Sequence, residues 1–75
     1  MEQILTKDGK HAVTIIQNGE GCDYLAIAEM QGFDSESMSD WSYWFTIGWY
    51  KTPETARKYA AKKLARFNLE LRAQA

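Results

Sequence analysis

Residues 41–50 read WSYWFTIGWY and residues 52–55 read TPET, and the junction between them decides the fold. The first stretch is almost entirely aromatic or β-branched, a composition that suits a pleated, half-buried surface. It predicts a strand over 41–50. Simple alternation puts Trp41, Tyr43, Phe45, Ile47 and Trp49 on one face, and Ser42, Trp44, Thr46, Gly48 and Tyr50 on the other. The second stretch starts a helix. The Thr52 hydroxyl can accept from a first-turn N–H, Pro53 suits the first helical position, and Glu54 favours the positive end of the helix dipole. The spacing predicts a helix over about 53–67 with a buried stripe of Ala56, Tyr59, Ala60, Leu64 and Phe67. Asn68 is a left-handed stop, and Leu69 and Leu71 are expected to pack as a return segment.

Upstream of that junction the chain reads as strands and turns. Asp8-Gly9 is a two-residue turn signal of the I′ kind. It joins a short strand over about 4–6 to a strand over 11–17. Asn18 to Gly21 is a second turn, with two glycines able to take positive φ. A strand over about 22–30, CDYLAIAEM, follows. Residues 31–40, QGFDSESMSD, are rich in Gly, Ser and Asp and read as a loop. The fold class is therefore α+β: an antiparallel meander of three to four strands followed by one C-terminal helix packed on one face. Residues 1–75 are read as a single domain.

The bulk composition excludes several function classes. At 75 residues and 45% hydrophobic, the chain has the size of one small domain and too much apolar side chain to be disordered. No run approaches the roughly 18 apolar residues of a membrane span, and the first ten residues hold no apolar signal core. Cys22 is the only cysteine and His11 the only histidine. A reducing, cytoplasmic setting is expected, with no disulfide, no metal site and no cofactor. Nothing pairs His11 with a carboxylate or Cys22 with a base. No phosphate loop or nucleophile elbow is present. His11 reads as an ordinary surface or hairpin side chain and Cys22 as a small apolar packer in a strand, and no enzyme is expected.

The net charge of −1 hides an uneven layout. Residues 1–50 hold Lys7 and Lys10 against eight acids, a net of −6, and residues 51–67 hold six bases against Glu54, a net of +5. Between His11 and Tyr50 there are six acids and neither Lys nor Arg. Asp34, Glu36 and Asp40 could present spaced negative charge to a basic protein surface, although acidic loops are also simply well solvated. Lys58, Lys62 and Arg66 recur every four residues on the helix. Such a row can follow a phosphate backbone, and it is equally the ordinary outer face of a surface helix. The aromatics of 41–50 are too many for one Ala-rich helix to cover. Some should be exposed and anchor a protein contact or meet a second copy.

The segment from Gly48 to Ala61, GWYKTPETARKYAA, resembles the last strand and helix of the three-stranded-sheet-plus-helix DNA-binding domains. These domains occur in plant ethylene-response factors and at the amino termini of phage tyrosine integrases. The resemblance covers 14 residues and implies a sheet with a C-terminal helix on it. In those families the sheet reads DNA through Arg, Lys and Trp. Here residues 11–50 lack Arg and Lys, so the resemblance carries over no DNA contact beyond Trp44 or Trp49 as sheet-face aromatics. An integrase-like ancestry fits a mobile-element origin.

Together these features favour a protein-binding module over a nucleic-acid binder. The concrete expectation is a small phage or mobile-element accessory protein. It would inhibit a host nucleic-acid-binding complex of the restriction or CRISPR type through Asp34, Glu36, Asp40, Trp41, Tyr43 and Trp44. Its partner would be a protein with a basic surface, and a homodimer through the aromatic sheet is a further reading. The alternative is a small nucleic-acid-binding domain using Lys58, Lys62 and Arg66. No membrane role is expected.

Overall fold

The computed structural model describes residues 1–19 and 23–72. It contains β1 (Glu2–Leu5), β2 (Ala12–Gln17), β3 (Tyr24–Asp34), β4 (Ser39–Tyr50) and α1 (Pro53–Ala65). The strands form one antiparallel sheet in sequence order, β1-β2-β3-β4, and the helix packs on β2, β3 and β4. This is the expected α+β meander with a C-terminal helix. The predicted strand start at Cys22 lies outside the described residues.

The helix forms where the sequence places it. The Thr52 side chain accepts from the Thr55 N–H at 3.2 Å and Pro53 opens the first turn. At the other end Asn68 has φ 60. The Leu69 N–H reaches the Leu64 carbonyl at 3.1 Å, and the Asn68 N–H reaches that of Ala65 at 3.0 Å. That pair of bonds is a Schellman stop: the regular helix runs to Ala65 and its closing turn through 66–68, which holds the expected end near 67.

The core lies between this helix and one face of the sheet. Ala56, Ala60 and Leu64 are fully buried against Ile4, Val13, Ile15, Ala26 and Ala28. Alanines on both surfaces let the helix come close. Tyr59 and Phe67 were expected in the same stripe, but both are exposed along the helix flank that faces β4. They pack there against aromatic rings of β4 instead. Tyr59 lies parallel to Tyr50 with centroids 5.1 Å apart, and Phe67 lies 6.2 Å from Phe45.

Three local readings are corrected. Residues 31–40 are not a loop. β3 runs on to Asp34 and β4 starts at Ser39, leaving a four-residue turn over 35–38 with Met38 at φ 54. The β1–β2 turn is likewise wider than a two-residue type I′ turn. The Thr6 N–H bonds the His11 carbonyl, the Gly9 N–H bonds the Thr6 carbonyl, and only Gly9, at φ 75, is left-handed. The Asp8 carboxylate accepts from the Thr6 hydroxyl and the Lys10 N–H and so holds the wider loop.

The third correction concerns the faces of β4. A β-bulge separates the pairs Ala26↔Gly48 and Ile27↔Thr46, leaving Ile47 as the extra residue. An inserted residue reverses the alternation beyond it. Trp41, Tyr43 and Phe45 therefore share the helix side with Gly48 and Tyr50, opposite Gly32, Met30, Ala28, Ala26 and Tyr24. Trp44 and Trp49 fall on the other face, opposite Glu29 and Leu25.

The two sheet edges differ. Beyond β1 the return segment closes the ladder: the Lys7 N–H reaches the Glu70 carbonyl, the Arg72 N–H reaches that of Leu5, and Thr6 bridges Leu71. Leu69 and Leu71 pack on the core, as expected. On its other side β4 has no paired strand among the described residues.

Candidate functional site

The β3–β4 ladder continues past the rest of the sheet. β2 stops pairing at Ala12↔Glu29, and from Met30↔Tyr43 to Asp34↔Ser39 only β3 and β4 remain. This two-stranded arm makes the molecule long, at 46 × 23 × 20 Å. It carries Asp34, Glu36, Asp40, Trp41 and Tyr43, with Trp44 at its base.

These residues share one element but not one face. Trp41 and Tyr43 lie on the helix side. Asp40 pairs with Phe33 and, with Trp44, lies on the opposite side. Glu36 sits in the turn at the tip. Tyr43 and Trp44 are 59% and 56% exposed, so a partner must approach from both faces, or clasp the arm, to reach the whole set. Asp34 has a structural duty as well. Its carboxylate accepts from the Glu36 N–H and the Ser37 hydroxyl, each at 3.0 Å, which closes the turn.

Gly32 shapes the arm. A Cβ built there would lie 2.2 Å from the Trp41 ring. The indole therefore lies across the glycine opposite it, covering backbone that has no side chain of its own. At the root of the arm His11 continues the ladder where β2 runs out, its Nδ1 accepting the Gln31 N–H at 3.0 Å. This makes the lone histidine a strand extender, a role with no sequence signal because its partner is 20 residues away. Beside the root, Gly9 and Lys10 of the β1–β2 turn face Gln31, Phe33, Asp40 and Trp41 across an open cleft of about 590 Å³.

A second surface emerges from the bulge. The sheet face away from the helix carries Ile16, Leu25 and Ile27, each half-buried, beside Trp44 and Trp49. Sequence alternation assigned Trp49 to the same face as Trp41, so this Trp44–Trp49 surface was missed. Only the pairing of Gly48 with Ala26 reveals it.

The basic row of the helix is present. Lys58, Lys62 and Arg66 are exposed and make no ion pair among the described residues. The Lys62 ammonium lies 5.3 Å from the centre of the Tyr59 ring. Arg57 is tied down, with its guanidinium 2.7 Å from Glu2 and 3.6 Å from Glu54. The hydrogen bond to Glu2 raises its pKa further above the ordinary guanidinium value. Lys7 similarly holds the Glu70 carboxyl below its usual range through a 2.8 Å contact.

Among the described residues no group of three or more His, Cys, Asp or Glu side chains could hold a metal ion. No helix among them is long and apolar enough to cross a membrane. Cys22 lies outside the described residues. Comparison with family models, with curated proteins and with solved structures finds no match.

Proposed function

We propose that the protein is a non-enzymatic protein-binding module whose β3–β4 arm enters a basic groove on its partner. One observation carries this reading. The part of the sheet that projects beyond the helix carries acids and aromatics and no basic residue. The acids would steer the encounter with a positive field, and Trp41, Tyr43 and Trp44 would supply the desolvated anchors. A groove suits the arm because its side chains point to both faces. Proteins that hold nucleic acid have such grooves, and an arm lodged there would block them. The narrowest form of the proposal is a phage or mobile-element inhibitor of a restriction or CRISPR-type complex, acting in the cytoplasm.

The test is affinity capture from the native host with the wild-type chain and with Glu36→Lys/Asp40→Lys. Asp34 is left in place because it closes the turn. The expected result is a nucleic-acid-binding protein retained by the wild type, released by added nucleic acid and lost with the variant. Equal retention by both would sink the acidic-arm reading. A second reading rests on the unpaired row of Lys58, Lys62 and Arg66, which could lie along a duplex. It predicts a gel shift at low salt that fades steeply as salt rises, and no shift at low salt removes it.

A further inference from the structure

We infer that the free edge of β4 pairs antiparallel with the same edge of a second copy, making one continuous eight-stranded sheet. The inference goes beyond the proposed target of the arm, because it uses the backbone edge and leaves the acidic tip over 35–38 free.

The asymmetry of the two edges is the starting point. A strand edge is a row of unpaired N–H and C=O groups that recruits another strand unless something blunts it. The return segment blunts β1. β4 is 12 residues long, and from Trp41 to Tyr50 it has no charge and no proline. The uncovered apolar surface gathers along the same edge. Trp41, Tyr43, Tyr59 and Phe67 are all exposed there on the helix side.

The bulge decides which residues can meet across such an edge. A two-fold axis normal to the sheet requires that residues facing each other across the new ladder belong to the same face. With Ile47 as the extra residue, this condition is met when Phe45 faces Phe45 of the second copy. Trp44 then faces Thr46, Ser42 faces Trp49, Trp41 faces Tyr50, and Asp40 faces Lys51. Without the bulge, Trp41 and Tyr50 would lie on opposite faces and could not pair. The two charges that bracket the uncharged run, Asp40 and Lys51, meet twice in the dimer, where Lys51, 3.0 Å from Asp23 of its own chain, would be shared between two carboxylates. This charge complementarity selects a second copy over an unrelated strand.

Sedimentation equilibrium on the full chain tests the proposal. The expected wild-type mass at high concentration is twice 8.6 kDa, falling on dilution. Asp40→Lys should raise the dimer Kd roughly 3- to 30-fold, since two exposed ion pairs become repulsive. Asp40→Lys/Lys51→Glu should restore part of that loss, because Asp23 repels the introduced carboxylate, and both effects should shrink with salt. A covalent trap tests the register. Asp40→Cys/Lys51→Cys, in a Cys22→Ser background, should give a covalent dimer on mild oxidation. Within one chain these positions are separated by roughly 35 Å of extended strand, too far for an internal bridge. Circular dichroism like the wild type's establishes that each variant folds. A monomer at every concentration overturns the proposal and leaves the edge to a strand of another protein. A dimer that the cysteine pair cannot trap overturns it as well. Loss of host capture by Glu36→Lys with the dimer intact separates the two readings.

Discussion

Between Tyr24 and Glu29, β3 has β2 on one side, β4 on the other and the helix above. Between Met30 and Asp34 it has β4 alone. The same hairpin is thus half body and half arm, and different physics holds the two halves. In the body Ala26 and Ala28 lie under Ala56 and Ala60, and a fully buried Leu64 locks the layer. In the arm nothing is fully buried. Cross-strand contacts such as Trp41 over Gly32, and the Asp34 turn, do the holding. Two-stranded ribbons alone are marginal in water, so the arm should open locally while the body stays folded.

The largest expected effect is on the body. Leu64→Ala removes the largest helix side chain that is wholly buried. It should cost about 2–5 kcal/mol, a large share of the roughly 4–11 kcal/mol a domain of this size has. Urea unfolding followed by circular dichroism reads it, and arm and body should melt together because the arm has no independent core. An arm that kept its ladder in the unfolded variant would break the comparison.

His11→Ala sharpens the boundary. The substitution removes the acceptor for the Gln31 N–H at the root of the arm and should cost about 0.5–1.5 kcal/mol. Amide exchange should show protection lost at Gln31 and its neighbours toward the tip, with Ala26 and Ala28 unchanged. Equal loss at Ala26 would mean that the arm and the body form one cooperative unit.

The body was the legible half. The cap at Thr52, the Ala56/Ala60/Leu64 stripe and the stop at Asn68 are local signals, and each can be read within a few residues. The arm was hidden because neither of its faces is buried. QGFDSESMSD has no alternation to betray a strand, and its pairing is dictated by the partner stretch across the turn. The bulge was hidden for a related reason. The sequence around Ile47 alternates smoothly, and only the fit of Gly48 opposite Ala26, beneath the Tyr50 ring, inserts the extra residue. Of the proposed site, the residues and the division of Trp41 and Tyr43 from Trp44 were therefore readable, but the transfer of Trp49 to the face of Trp44 was not.

The smallest expected effect concerns the other hairpin loop, which flanks the root of the arm. The Thr6 hydroxyl, and after it the Lys10 N–H, hold the Asp8 carboxyl below its ordinary value of 3.8. The folded chain then binds this proton less readily than the unfolded chain, so acid favours unfolding. The stabilisation is complete above about pH 4, the value of an unfolded Asp, and is lost as pH falls through the lower folded value. Glu70, held down by Lys7, titrates with the same sign from an ordinary value of 4.5. The two contributions separate with salt, because an exposed ion pair is screened and the hydrogen bond from the neutral Thr6 hydroxyl is screened far less. Asp8→Asn keeps an acceptor in the loop and removes the titration. Its stability should match the wild type's more closely at pH 3 than at pH 7. In high salt, where the Lys7–Glu70 pair is screened, its acid limb should be shallower than the wild type's. An unchanged acid limb in Asp8→Asn would mean that the loop is held by its backbone bonds, with Gly9 doing what is assigned here to Asp8.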